Sequence, residues 1–98
     1  MLIKVHKAYR DVVAVCDSEL TNKKFEQGIA QLDIRENFYK GEEKTAEELI
    51  EILKDMAKED ATFNIIGSDS VNCALKAGII SEEGIKQVQD VPFALVLL

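Results

Sequence analysis

A strand, a tight glycine turn and a helix follow one another in residues 62–80, and this unit constrains the fold more than any other stretch. Residues 62–66 are rich in β-formers and run directly into Gly67. The next three residues are good helix N-caps, so we expect a helix to begin between 68 and 70. Gly78 suits the left-handed residue that ends a helix, because it has no Cβ. The stretch predicts a buried strand joined to a capped helix.

The flanking segments extend this unit into a mixed sheet. Two apolar runs, 2–8 and 12–16, predict an N-terminal β-hairpin, whose register stays open because its central positions are apolar on both faces. Alternation over 29–34 predicts a third strand, and the apolar run 93–98 predicts a buried last strand. The chain of 98 residues therefore predicts a single α/β (α+β) domain, residues 1–98, with about five or six strands and two main helices.

The clearest helix is predicted over residues 45–59. Thr45 and Glu48 have the spacing of a capping box. Apolar residues recur at helical spacing through Leu53, while acidic residues occupy the opposite side. This pattern indicates a helix that packs on the sheet with one face in solvent.

Three further interpretations concern the connections. The strand–helix–strand stretch around Gly67 predicts a parallel strand pair made by a crossover. Residues 20–27 are interpreted as a short helical turn or an ordered loop. Residues 35–43 are interpreted as a polar connection with two aromatic rings near its middle.

The net charge of −6 is distributed unevenly along the chain. Residues 1–40 carry seven Lys/Arg and six Asp/Glu, which gives +1, whereas residues 41–98 carry five and twelve, which gives −7. An acidic chain is a poor general binder of nucleic acid. We therefore expect any phosphate-contacting face to lie in the first forty residues.

The N-terminus lacks a hydrophobic signal segment, and the apolar runs are too short to span a bilayer. These features predict a cytoplasmic location and no membrane partner. Cys16 and Cys73 are then expected to be free thiols. The chain has no Cys/His clustering with metal-ligand spacing and no cofactor motif, so the sequence predicts neither a metal site nor a cofactor.

One group of residues combines positive charge with aromatic rings. The candidate nucleic-acid-binding residues are Lys23, Lys24, Phe25, Tyr39 and Lys40. Phosphate neutralisation together with base stacking is the chemistry of single-stranded RNA binding. In the alternative interpretation, the aromatic rings anchor loop ends in the core and the lysines are merely solvated. The leading hypothesis is a non-catalytic binding module associated with RNA or a ribonucleoprotein.

A second hypothesis is a small enzyme or ligand sensor. Its candidate pocket consists of Cys16, Asp17, Glu19, Asn64, Gly67 and Asp69. A nucleophilic Cys16 would need a thiolate, which the neighbouring Asp17 disfavours because a negative charge raises the pKa of a thiol. No residue is assigned a catalytic role. A third hypothesis is a homo-oligomeric protein adaptor that uses the acidic helix face or an uncovered sheet edge.

Six short segments occur together in an order that is typical of a known family. They are residues 16–20, 23–28, 38–42, 64–67, 78–80 and 91–92. Together they resemble an archaeal DUF424-like family of about 100 residues, a domain of unknown function, over nearly the whole chain. The resemblance implies an archaeal, cytosolic, single-domain α/β protein. It does not indicate any particular activity. Phe93 and Leu95 stand where the family pattern has His and Gln.

Overall fold

In residues 1–97, which the computed structural model describes, six strands form one mixed sheet, two more form a separate hairpin, and three α-helices are present. The strands are β1 (Leu2–His6), β2 (Val12–Cys16), β3 (Lys24–Gln27), β4 (Ala30–Asp33), β5 (Glu42–Glu43), β6 (Thr62–Ile66), β7 (Lys86–Val88) and β8 (Val91–Val96). The helices are α1 (Glu36–Tyr39), α2 (Ala46–Lys58) and α3 (Ser68–Ala77). The α+β class predicted from the sequence is confirmed.

The main sheet has the strand order β5-β1-β2-β6-β8-β7. Its parallel pair is β2 and β6, which are connected through α2. The parallel pair expected around α3 is wrong, because β8 runs antiparallel to β6. After α3 the chain first forms β7 at the rim of the sheet. It then turns at Gln89 and Asp90, both with positive φ, and returns as β8 beside β6.

The structure settles the register of the first hairpin. His6 pairs with Val12 and Leu2 pairs with Cys16, which leaves a five-residue loop closed by the ion pair between Lys7 and Asp11. In this register the side chains of His6 and Cys16 lie on the same face of the sheet. A two-residue loop would have placed them on opposite faces.

The sheet has an apolar core on each face, which explains why β2 is apolar at every position. The first core packs under α2 and α3 and is built from Ile3, Val13, Val15, Leu49, Leu53, Phe63, Ile65, Val71 and Ala74. The second core packs under the hairpin of β3 and β4 and under α1, and it is built from Ala14, Cys16, Leu32, Ile34, Tyr39, Ile66 and Val88. Alternation along β2 therefore divides its residues between two buried environments.

The second face is covered by the β3–β4 hairpin and α1, and among these only β4 has the alternation that predicted a strand. The interpretation of residues 20–27 as a helical turn or loop is correct only at Ser18–Leu20, a 3-10 turn that overlaps its start, because Lys24–Gln27 forms β3. Phe25 pairs with Leu32 across the hairpin and packs into the second core. The expected polar connection over 35–43 contains α1 and the short β5.

The end of the chain is less buried than its composition predicted. Ala94 is 2% exposed, but Leu95 and Leu97 are 53% and 73% exposed. The covering elements contact the second face around Cys16 and Ile66, so they leave the far end of β8 open. Leu98, the last residue of the predicted run, lies outside the described residues.

Helix α2 begins as predicted. The Thr45 hydroxyl accepts from the Glu48 backbone N–H at 3.2 Å, and the Glu48 carboxylate accepts from the Thr45 backbone N–H at 3.1 Å. This reciprocal capping box satisfies two donors that a helix N-terminus otherwise leaves open. Within residues 1–97, no helix combines the length and the apolar character that crossing a bilayer would require.

Candidate functional site

Two adjoining depressions cross α1 on the second face of the molecule. The first, of about 660 Å³, is bounded mainly by Asn22, Arg35, Glu36, Asn37 and Lys40, and we call it the Arg35–Lys40 depression. The second, of about 420 Å³, is bounded mainly by His6, Phe38, Asn37, Arg35 and Asp33, and we call it the His6–Phe38 depression. Asp33, Arg35 and Asn37 border both depressions, so the two lie side by side, and we call them together the α1 cleft.

Arg35 stands immediately before α1 and its side chain is 73% exposed. Its Nε donates a 3.0 Å hydrogen bond to the carboxylate of Asp33. Within residues 1–97 the two terminal nitrogens make no hydrogen bond, so they keep four N–H donors for a ligand. Arg35 can therefore hold an oxyanion while its stem is oriented by Asp33.

Lys40 closes the other end of the first depression. Its ammonium group donates to Glu36 at 3.0 Å, and the side-chain amide of Asn22 donates to the same carboxylate at 3.0 Å. These bonds lower the pKa of Glu36, with the Asn22 bond the larger cause and Lys40 the next. The exposed pair is only weakly stabilising, so Lys40 can exchange Glu36 for a stronger anion at little cost.

Two half-buried rings bound the second depression. The rings of His6 and Phe38 are stacked, with centroids 4.4 Å apart and an angle of 19° between their planes. His6 Nε2 lies 2.8 Å from the Phe38 carbonyl oxygen. Because a carbonyl can only accept, Nε2 carries the hydrogen in this contact. The Lys4 ammonium donates to the Asn37 carbonyl at 2.7 Å, so β1 is tied to α1 at two successive residues of the helix.

Of the predicted nucleic-acid-binding residues, the three lysines are exposed and lie on connected elements. The Lys23 carbonyl accepts from the Ile34 N–H, and Lys24 pairs with Asp33, so both lysines stand beside the segment that enters α1. Lys24 also forms an ion pair with Glu26 at 3.3 Å. The half-buried Phe25 points into the second core and does not join this group.

Tyr39 requires a correction, because only 6% of its surface is exposed. It packs in the second core, and burial raises the pKa of its phenol to about 12. Tyr39 borders the His6–Phe38 depression, but the more exposed ring there is that of Phe38, whose centroid is 5.1 Å from that of Tyr39. A four-residue helix has too few positions for a sequence pattern to show which of two adjacent aromatics is buried.

The α1 cleft and its flanks carry positive charge in an acidic protein. The charged residues there are Lys4, Lys23, Lys24, Glu26, Asp33, Arg35, Glu36 and Lys40, five cations and three anions. Their sum is +2, so the rest of the chain carries −8 of the total of −6. The lining of the two depressions is itself neutral, since Arg35 and Lys40 stand against Asp33 and Glu36, and the excess positive charge comes from the flanking lysines. An anionic chain would therefore meet less repulsion here than from the rest of the protein taken together.

The residues of the alternative pocket are partly brought together, but as a helix cap. The buried carboxylate of Asp17 accepts from the backbone N–H groups of Asp69 and Ser70 at 3.2 and 2.8 Å and from the Ser70 hydroxyl at 2.8 Å. A Cβ on Gly67 would collide with that carboxylate. The anion-binding capacity of this helix N-terminus is therefore used by Asp17, and no residue from 68 to 70 caps its own helix.

Cys16 and Asn64, two further members of the alternative pocket, do not border a common depression with Asp17 and Gly67. Cys16 is buried, and burial is the main cause of the raised pKa of its thiol. Glu19 lies with Asp17 and Gly67 at a depression of only about 130 Å³. Asn64 pairs with Leu95 in the sheet and does not border that depression. Among residues 1–97, no three His, Cys, Asp or Glu side chains are grouped so as to hold a metal ion.

The comparisons with known proteins agree with the fold described above. A crystal structure of an uncharacterized conserved protein from Methanopyrus kandleri matches with a TM-score of 0.86 and 22% sequence identity, over 97% of this chain and 88% of that chain. At this identity the likeness shows the fold alone. No curated protein matches the sequence. A family described as "Protein of unknown function (DUF424)" matches residues 6–98, which confirms the resemblance seen in the sequence, and the chain belongs to this family.

Proposed function

We propose that this protein is a non-catalytic binding module of the archaeal cytosol that holds single-stranded RNA across the α1 cleft. The observation that carries the proposal is the first depression, where Arg35 and Lys40 face one open space together with the amides of Asn22 and Asn37. Guanidinium and ammonium groups neutralise phosphates, and amides bond to phosphate oxygens, sugars and base edges. The archaeal and cytosolic parts of the proposal rest on the family resemblance.

The electrostatics support an extended anionic ligand. Arg35 and Lys40 are held by exposed carboxylates at 3.0 Å, which are weak partners in water. Lys23 and Lys24 add two exposed cations at the start of β3. A chain of phosphates that follows these groups would release its counterions, so binding should weaken as salt is raised.

The state of the reactive side chains supports binding over catalysis. Both thiols are buried, and burial raises the pKa of each, which suppresses the thiolate that a nucleophile needs. His6 is bonded to a backbone carbonyl, and the Asp17 carboxylate accepts three hydrogen bonds at the start of α3. These groups are engaged in holding the fold.

The test compares two double variants with the same change in net charge. Arg35→Ala with Lys40→Ala removes two cations from the cleft, whereas Lys58→Ala with Lys76→Ala removes two exposed cations from α2 and α3 on the opposite layer. Affinity for a fluorescein-labelled single-stranded RNA of about eight nucleotides is measured by anisotropy at several salt concentrations. The cleft variant should bind more weakly and its salt slope should fall by about 1–2, while the control keeps the slope of the unmodified protein.

Equal losses in the two double variants would contradict the proposal, since they would show that only overall charge matters. No binding of RNA by the unmodified protein at low salt would also contradict it. Circular dichroism of all three proteins establishes that any loss is not a loss of folding.

A further inference from the structure

We infer that the His6–Phe38 depression receives one unpaired base of the bound strand, stacked on the aromatic pair, while the neighbouring Arg35–Lys40 depression holds the adjacent phosphate. This inference rests on the proposed function and assigns its recognition chemistry. The shared wall of Asp33, Arg35 and Asn37 sets base and phosphate subsites side by side. Such adjacency is what a single nucleotide requires.

The second depression has the size and the lining of a small-molecule site. Its volume of about 420 Å³ falls within the usual range for such sites, roughly 300–1,000 Å³. Its lining combines the half-buried rings of His6 and Phe38 with the exposed polar side chains of Asp33, Arg35 and Asn37. A flat aromatic base matches this lining better than a phosphate does.

The ring of Phe38 is held in place before any ligand arrives. It stacks on His6 at 4.4 Å, and it contacts the buried Tyr39 edge-on at 5.1 Å. Its own carbonyl oxygen is bonded to His6 Nε2, so backbone and ring are fixed together. A stacking surface that is already ordered pays little conformational entropy when a base binds.

The same geometry separates single strands from duplexes. In a duplex the bases are stacked on one another and paired, so no base face is free for the aromatic pair. Stacking accepts every base, since each has a π-face. We therefore expect weak sequence preference together with a strong preference for unpaired RNA.

The experiment tests whether the effect of removing the Phe38 ring depends on the presence of one base in the RNA. Phe38→Leu keeps an apolar side chain but removes the ring, and Phe25→Leu is the matched control, a half-buried ring of the same core that lies outside the cleft. Each protein is titrated with the eight-nucleotide RNA and with a set in which each position in turn lacks its base. For the unmodified protein, one or two of the abasic positions should reduce affinity roughly 5- to 100-fold.

Non-additive effects of the substitution and of base removal distinguish a lost stacking contact from a structural defect. Phe38→Leu should bind the intact RNA roughly 5- to 100-fold more weakly than the unmodified protein does, with the same salt slope. At the sensitive positions this variant should bind the abasic RNA as tightly as it binds the intact RNA, because the stacking contact is already absent. Phe25→Leu should keep the full abasic effect. Abasic losses that are equal in the unmodified protein and Phe38→Leu, or absent from the unmodified protein, would overturn the inference even if salt-dependent RNA binding remains. Absence of RNA binding would overturn the proposed function as well.

Discussion

The carboxylate of Asp17 accepts hydrogen bonds from both the backbone N–H and the hydroxyl of Ser70, a residue 53 positions further along the chain. Asp17 directly follows β2, and its own N–H donates to the Ile66 carbonyl at 3.1 Å. One residue therefore continues the pairing of the two parallel strands and also caps the helix that follows the second strand. The charge on the carboxylate complements the positive end of the α3 dipole.

Removal of this carboxylate should cost stability. Asp17→Ala leaves the buried Ser70 N–H without its partner, and we expect a loss of about 2–4 kcal/mol in the free energy of unfolding. Ser70→Ala removes only the hydroxyl bond and should cost less, about 0.5–1.5 kcal/mol. Urea denaturation followed by circular dichroism measures both. A stabilised Asp17→Ala would instead indicate a carboxylate retained for function at the expense of stability.

The close approach of Gly67 to Asp17 should make this glycine irreplaceable. Gly67 has φ 111° and ψ 153°, a region that residues with a Cβ avoid, and an added methyl group would collide with the Asp17 carboxylate. We expect Gly67→Ala to lower the free energy of unfolding by about 3–5 kcal/mol. Gly28→Ala is the control, because Gly28 has φ 62° and open space around it, and its loss should be about 1–2 kcal/mol. Equal losses measured by urea denaturation would show that the contact with Asp17 contributes nothing.

The two thiols should resist alkylation in the folded protein. Cys16 and Cys73 are 0% and 3% exposed, and burial raises the pKa of both. We expect modification by iodoacetamide at neutral pH to be far slower than in urea, because it requires opening of the fold. Cys73→Ser isolates Cys16. If Cys16 in that variant reacted at neutral pH as fast when folded as when unfolded, the enzyme hypothesis would regain its nucleophile.

Strong local periodicity explains which elements could be predicted. Helix α2 begins at a capping box formed by Thr45 and Glu48, and α3 lies between Gly67 and Gly78. In both cases the residues that determine the ends of the helix are close to it in the sequence. By contrast, β3 has four residues of which one, Phe25, is apolar and faces the core. Its conformation depends on pairing with β4 and on the second core, which are tertiary contacts that a local pattern does not contain.

Of the two cations that line the candidate site, the sequence predicts Lys40 but not Arg35, and it predicts Tyr39 in place of Phe38. Lys40 and Arg35 lie at the two ends of α1 as exposed residues, as their polarity indicates. Whether Phe38 or Tyr39 faces solvent depends on the rotation of a single helical turn, which the contact with His6 of β1 helps to fix. The cap of α3 by Asp17 could not be predicted from a local pattern either, because Asp17 and Ser70 are far apart in the sequence.

Burial of Tyr39 should make stability depend on pH under alkaline conditions. Its folded pKa is raised to about 12, chiefly by burial and then by the nearby Cys16, whereas an unfolded tyrosine has a pKa of about 10. Below pH of about 10 both states keep the proton, so this phenol adds no pH dependence. As the pH rises from about 10 to 12 the unfolded state releases the proton first, and the free energy of unfolding must fall.

This effect can be measured on a chain with one phenol. In Tyr9→Phe, which leaves Tyr39 as the sole tyrosine, tyrosinate absorbance should rise only as the pH approaches about 12, with urea midpoints already falling above pH of about 10. Lysines also titrate in this range, so the control is Tyr39→Phe, whose urea midpoint should fall less over the same interval. If both variants lost stability in parallel, the phenol of Tyr39 would titrate alike in the folded and unfolded chain, and its burial would have no energetic consequence.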